Sequence, residues 1–228
     1  MAEKKYTGTS EEVMLEKAKD FWAKYNKPVM IVSVAVILLV GGYYGYRNFI
    51  LKPKESKAVE DMFRAEEYYR MDSCNLALNG DGQYPGFLKV IDKYGGTKSA
   101  NEARFYAGVC YLKMGDNANA IKYLKKFSTS AKQVQARAYK LLADAYADTE
   151  KNADALKYYK KAAHHFEEDK TTSSEALFLG AYLADRVMKD QKQAKALYEE
   201  IIEKFPGTAR ASDARKYLAQ MGVYNTEE

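Results

Sequence analysis

Two adjacent histidines, two cysteines and a short run of oxygen-bearing residues are the side chains in this sequence best suited to catalysis or metal binding. His164 and His165 are its only histidines. As helix neighbours they point about 100° apart and form no ligand pair of the i, i+4 kind, so they are expected at the surface. Cys74 and Cys110 lack the paired spacing of a zinc site or a redox dithiol, and a free cysteine commonly packs as a small hydrophobe. Asn79, Asp81 and Gln83 alternate as calcium ligands do in the loop NGDGQYPG, Asn79 to Gly86. A calcium loop, however, needs glycine where Tyr84 stands and a closing glutamate where Val90 stands. No glycine-rich phosphate loop and no serine elbow are present. Carboxylates mix with lysines at helical spacing, as around Lys195, Glu199, Glu203 and Lys204, which describes solvated helix faces. The expected catalytic, cofactor and metal sets are therefore empty, and no small-molecule substrate is expected. The loop residues Asn79, Asp81, Gln83 and Tyr84 are retained as a candidate protein contact.

The elements that carry these residues follow from composition and periodicity. The chain has 228 residues, 47% of them hydrophobic, enough for one core-bearing domain and an appendage. Proline is scarce and the β-branched residues concentrate in one N-terminal block, so an all-α chain is expected elsewhere. The net charge of +5 is spread without a basic stripe, which argues against a nucleic-acid partner.

From Pro28 to Tyr46 the sequence reads PVMIVSVAVILLVGGYYGY, without a charge and with Ser33 its only clearly polar side chain. As a helix it spans about 28 Å, close to the hydrocarbon thickness of a bilayer. Trp22 and Tyr25 precede it and Tyr43, Tyr44 and Tyr46 close it, as interfacial anchors do. It is too long for a secretory signal and ends in tyrosines, not in a small-residue cleavage site. Lysines and arginines flank both ends equally, so the charge rule leaves orientation open. Upstream, Ser10 to Tyr25 reads as a short amphipathic helix with Thr9 and Glu12 as a capping box. The domains expected are 1–27, an N-terminal amphipathic segment; 28–47, a transmembrane helix; and 48–228, a repeat domain.

Internal similarity organises the remainder. Lys93-Tyr94-Gly95-Gly96-Thr97 is echoed by Lys204-Phe205-Pro206-Gly207-Thr208, each marking a helix end, a tight turn and a new helix near a threonine cap. Between them, Gly108, Tyr111, Gly115, Ala120 and Leu124 are followed by Leu142, Ala143, Tyr146, Ala155, Tyr159 and Ala162. A third set comprises Gly180, Leu183, Ala194, Tyr198, Ile201 and Pro206, with two extra residues around Val187 to Asp190 that should lengthen a helix or a turn. These sets resemble the tetratricopeptide repeat, a 34-residue helix-turn-helix unit in which small residues let paired helices approach. An α-solenoid of about four units is expected, with Thr208 to Met221 as a capping helix. Its first unit is irregular, with a helix over Glu55 to Tyr69 and a return helix whose inner face is Phe87, Val90, Ile91 and Tyr94. The first helix of each pair should line a concave groove, placing Phe105, Val109 and Leu112, then Lys140 and Asp144, then Leu177 and Ala181 as partner-binding candidates. Only Lys140 suits capture of a peptide carboxylate, so a helix or an extended apolar segment is the expected occupant.

The whole plan, FWAKYNKPV before the span, GGYYGYR closing it and repeats after it, resembles the ancillary subunit of the bacterial SecYEG translocon. That resemblance implies a single-pass protein of the bacterial inner membrane whose C-terminal repeats lie in the periplasm. It implies as partners the translocon, a membrane-anchored prolyl-isomerase-like chaperone and emerging polypeptides, with no catalytic residues to carry over. Units ending in KYGGT and KFPGT also look like those of outer-membrane assembly lipoproteins and of a periplasmic division coordinator, so an envelope scaffold is the alternative. A cytosol-facing membrane adaptor is a further one.

Overall fold

The computed structural model describes residues 9–224. It divides into two compact units between Lys54 and Glu55. The described residues contain no β-strand beyond a single bridge between Gly80 and Pro85.

The N-terminal unit is built on helix α1, Ser10–Gly45, which leads into a π-helical turn, Tyr46–Leu51. At its start the Glu12 carboxylate accepts from the Thr9 backbone N–H at 3.0 Å, one arm of the expected capping box. Where the sequence suggests a short helix to Tyr25 and then a separate span, α1 runs through Pro28 unbroken. Proline removes one backbone donor, but the alanines and lysines upstream are strong helix formers, and a single lost bond does not end the helix. None of its residues is buried, and Ile31, Ile37, Leu38 and Leu39 are 67–74% exposed. Each such side chain left in water forgoes about 1.5–3 kcal/mol of burial. Among the described residues this is the one helical stretch long and apolar enough to cross a membrane.

The second unit is a tetratricopeptide solenoid. After α2, Lys52–Arg70, come the short α3, Cys74–Asn79, and α4, Phe87–Lys93. Three regular hairpins follow: α5 (Lys98–Lys113) with α6 (Asn117–Leu124), α7 (Lys132–Asp148) with α8 (Asn152–His165), and α9 (Lys170–Tyr182) with α10 (Gln191–Lys204). The capping helix is α11, Ala209–Gln220. The sequence reading missed α3, whose six residues are too few for a periodic pattern to register.

Recurrent turns make the repeat. In the hairpin after α5, Asp116 N–H donates to the Tyr111 carbonyl at 2.9 Å and Gly115 N–H to Leu112 at 3.0 Å, a Schellman closure with Gly115 at φ 77°. Asp72 and Glu150 take the same left-handed place in the hairpins after α2 and α7, with φ 59° and 58°, and their neighbours repeat the bonds. The KYGGT and KFPGT echoes prove to be one turn between units. The Thr97 hydroxyl accepts from Ala100 N–H at 3.1 Å and donates to the Tyr94 carbonyl at 2.8 Å. The Thr208 hydroxyl does the same with Ala211 and Phe205 at 3.2 and 2.9 Å. The two extra residues of the last hairpin appear as a π-helical turn, Leu183–Val187, followed by Lys189 at φ 58°.

Small residues set the helix spacing. A Cβ on Gly108 would lie 2.5 Å from Leu124 Cγ, and one on Gly180 would lie 3.3 Å from Tyr159 Cβ. The core forms two clusters, one around Phe87, Val90 and Tyr94 and another around Leu142, Leu177, Tyr198 and Ile201. Helix α5 stands between them, giving Ala100, Ala103, Ala107 and Cys110 to the first while Phe105 and Leu112 pack on the second. Ile91 is only partly buried beside its cluster.

Candidate partner-binding groove

The open faces of α5 and α7, with the segment 127–131 between the hairpins, enclose a groove of about 810 Å³. Aromatic rings line it: Phe105 and Phe127 lie 5.1 Å apart, and Tyr106 and Tyr69 4.9 Å. Its rim is stapled on both sides. Asn101 of α5 donates to the Ser128 carbonyl at 2.8 Å, and the Thr129 N–H donates at 2.8 Å to Gln135 of α7, which is buried at 3% exposure. A second hollow of about 640 Å³ continues between α7 and α9, and Val134 and Arg137 line both.

The groove residues expected from the repeat register fall in three environments. Phe105 lines the larger hollow and Lys140 the smaller. Asp144 is committed within the fold, accepting from Lys140 at 3.3 Å and from the Tyr159 hydroxyl at 2.7 Å. Val109, at 7% exposure, is buried and Leu112 packs on the C-terminal cluster. Leu177 and Ala181 are core residues, 1% and 0% exposed, because α7, α8, α10 and α11 all pack on α9. On that helix Thr171, Thr172 and Glu175 line the groove in their place. Register alone could not reveal this, since it does not show that the capping helix encloses the last pair.

Sequence reasoning also missed Glu102 and Arg137, which line the larger hollow. Partial burial, then the neighbouring Glu66 and Glu55 carboxylates, push Glu102 above the usual carboxylate range, and Lys98 opposes them. On a solvated helix face neither residue stands out by type or spacing.

The loop candidates are exposed and bond to one another and to nearby helices. Asp81 accepts from the backbone N–H of Gln83 at 2.9 Å and of Tyr84 at 2.7 Å, and from the Tyr68 hydroxyl of α2 at 2.7 Å. These backbone and hydroxyl bonds hold its carboxyl below the usual range. Arg64 stacks 5.0 Å over the Tyr84 ring, and Asn79 donates to Asn75. Gln83 lends its backbone to this turn. A Cβ on Gly86 would lie 2.3 Å from the Leu78 carbonyl oxygen, so a side chain at that position has no room.

Among the remaining reactive side chains, His164 meets Glu167 at 3.0 Å and His165 packs edge-on against Tyr139 at 5.4 Å. Cys74 and Cys110, distant in sequence, are both free and buried in one cluster. Burial first, then the neighbouring Cys74, push the Cys110 thiol well up. Among the described residues no group of three or more histidines, cysteines or carboxylates could hold a metal ion.

Stacked helix hairpins around an open aromatic groove define a repeat scaffold for protein–protein interaction. The chain belongs to the tetratricopeptide repeat-like domain family, whose model matches residues 19–171, and a tetratricopeptide repeat model matches residues 175–208. No curated protein matches it in sequence. Among solved structures it is similar to a crystal structure of MamA, with 23% identity and a TM-score of 0.43, over 60% of this chain and 80% of that one.

Proposed function

We propose that this protein is a membrane-anchored scaffold that holds protein partners in the groove of its repeat unit, without chemistry of its own. The observation that carries the reading is the conjunction of an apolar helix with no buried residue and a separate solenoid with an open aromatic groove. Residues 28–47 span the bilayer, Trp22 and Tyr25 anchor one interface, and Tyr43, Tyr44 and Tyr46 anchor the other. A groove of this size suits an extended chain or a short helix from another protein.

In its finer form the proposal places the protein in the bacterial inner membrane with its repeats in the periplasm. There it serves as an accessory subunit of the SecYEG export translocon beside a prolyl-isomerase-like chaperone. Support comes from the resemblance carried by FWAKYNKPV, GGYYGYR and the repeats that follow. The unit ends KYGGT and KFPGT favour, as a second reading, an envelope scaffold for outer-membrane assembly or cell division.

In-cell cross-linking followed by purification in mild detergent separates these. Recovery of the translocon with the chaperone is expected, and recovery of outer-membrane assembly or division proteins alone would transfer the assignment to the second reading. Sidedness is read from Val187→Cys, at a position 54% exposed. A membrane-impermeant maleimide should label it in intact cells, and labelling only after lysis would make the protein a cytosol-facing adaptor.

A further inference from the structure

Charge bookkeeping along the groove shows which ions the fold uses and which it leaves over. On the α9 side, Glu175 receives the Arg210 guanidinium, and Asp169 caps its helix by accepting from Thr172 N–H at 3.1 Å and Thr172 Oγ1 at 2.7 Å. Lys140 holds Asp144. Three ions line the larger hollow, Lys98 and Glu102 on α5 and Arg137 on α7, and neither the Glu102 nor the Arg137 side chain has an ion-pair or hydrogen-bond partner among the described residues. Those two have opposite signs, yet the open hollow keeps them from meeting. Glu102 is crowded by Glu66 and Glu55, with Lys98 opposing them, so carboxylates outnumber the cation and that end of the groove favours a further positive charge. Every carboxylate lining the second hollow is already engaged within the fold, so Arg137 must find its anion outside the molecule. Aromatic surface from Phe105 and Phe127 lies in the same hollow, and Val134 adds an aliphatic wall.

We propose that the groove reads polarity as well as shape, taking an extended polypeptide segment with a lysine or arginine against Glu102, an apolar side chain on Phe105, Phe127 and Val134, and a carboxylate on Arg137. This inference rests on the reading of the groove as a protein-binding site. Glu102, Phe105, Phe127, Val134 and Arg137 all line one hollow, so one short extended motif reaches all three contacts. The planar guanidinium of Arg137 suits a carboxylate, which it can grip through two parallel N–H donors. The order of charges fixes the direction of the segment, because a reversed chain would set its cation on Arg137 and its anion among Glu55, Glu66 and Glu102. Opposite charges on the two walls thus select sequence and orientation together.

The test is selection of a random dodecapeptide phage library on immobilised full-length protein in detergent micelles, beside the variants Glu102→Gln/Arg137→Gln and Phe105→Asp/Val134→Asp. Wild type should enrich peptides in which a basic and an acidic residue flank an apolar one within a few positions. The charge variant should lose that pairing and bind the enriched peptides roughly tenfold more weakly. Glu102→Gln should relax the preference at the basic end of the motif only, and Arg137→Gln at the acidic end only. Enrichment of apolar peptides without the flanking charges, lost in Phe105→Asp/Val134→Asp, would overturn this inference while leaving the groove as the binding site. Peptide binding unchanged in Phe105→Asp/Val134→Asp, or no enrichment on wild type, would overturn both. A folded helical spectrum from each variant, equal to wild type in circular dichroism, accompanies every comparison.

Discussion

At the residue scale, two glycines with the same apparent role are not equivalent. A methyl on Gly108 would run into the branch point of Leu124, itself only 3% exposed and with no room to yield. Gly108→Ala should therefore destabilise the repeat unit by about 1–3 kcal/mol despite the better helix propensity of alanine. At Gly180 the nearest atoms are 3.3 Å away, tight enough to offset the propensity gain and no more, so Gly180→Ala should fall within about 1 kcal/mol of wild type. Denaturant melts of the full chain in detergent, followed by circular dichroism, compare the two directly. If Gly108→Ala proves the milder substitution, close packing is not what that glycine provides. The buried thiols give a second check. Burial keeps alkylating reagents away from both sulfurs, so Cys74 and Cys110 should resist maleimide in the native protein and react on denaturation. Rapid native labelling of either would mean that the first unit opens readily.

At the element scale, α2 is held to the rest of the solenoid by carboxylates. Glu55 accepts from Lys98 N–H at 2.7 Å, Ser99 N–H at 2.9 Å and Ser99 Oγ at 2.6 Å, supplying the start of α5 with an acceptor from another helix. Burial raises its pKa, but the Ser99 and Lys98 bonds outweigh burial and hold it below 4.5. Asp61 accepts from the Tyr94 hydroxyl at 2.6 Å and from Lys93 at 3.1 Å, which hold it below 3.8. Both carboxyls are depressed in the folded state, so their stabilisation is complete above those ordinary values and is lost as pH falls through the folded ones. Hydrogen-exchange protection of α2 should accordingly drop below about pH 4 before that of α7 and α8. Glu55→Gln should remove part of that pH dependence and cost about 1 kcal/mol. The hairpin turns allow a gain. Glu150 and Lys189 hold left-handed backbone that Gly115 adopts freely in the hairpin after α5, so Glu150→Gly and Lys189→Gly should each stabilise by about 0.5–1 kcal/mol. A fall in melting temperature for Glu150→Gly would show that its side chain contributes more than its backbone costs.

At the scale of the whole molecule, the two units keep their apolar side chains in opposite places. The N-terminal helix carries its isoleucines, leucines and valines outward with none buried, and the solenoid buries its own within two clusters. The full chain should float with lipid vesicles and resist extraction at alkaline pH, as a helix inserted in hydrocarbon does. Release into the supernatant under those conditions would remove the membrane from the account.

How much of this was legible beforehand depends on how local the cause is. The apolar stretch from Pro28 to Tyr46, the Thr97 and Thr208 caps, the Gly115 turn and the recurrence of small and aromatic residues are all decided within a turn or two of backbone. Helix propensity, capping and periodicity therefore sufficed to read the repeats, their number and the closing helix from sequence. Which face of each helix meets water is decided by other helices. Leu177 and Ala181 occupy the same repeat positions as Lys140 and Asp144, yet α11 and its neighbours enclose them. Glu102 and Arg137 look like any solvated charges until α5 and α7 set them on two walls of one hollow. Asp81 resembles a ligand until Tyr68 and two backbone N–H groups claim it, and Cys74 and Cys110 meet only because α3 packs on α5. Sequence determined the units, because their energetics are local; tertiary structure alone decided which side chains were left over for a partner, because that depends on what the rest of the fold has already bound.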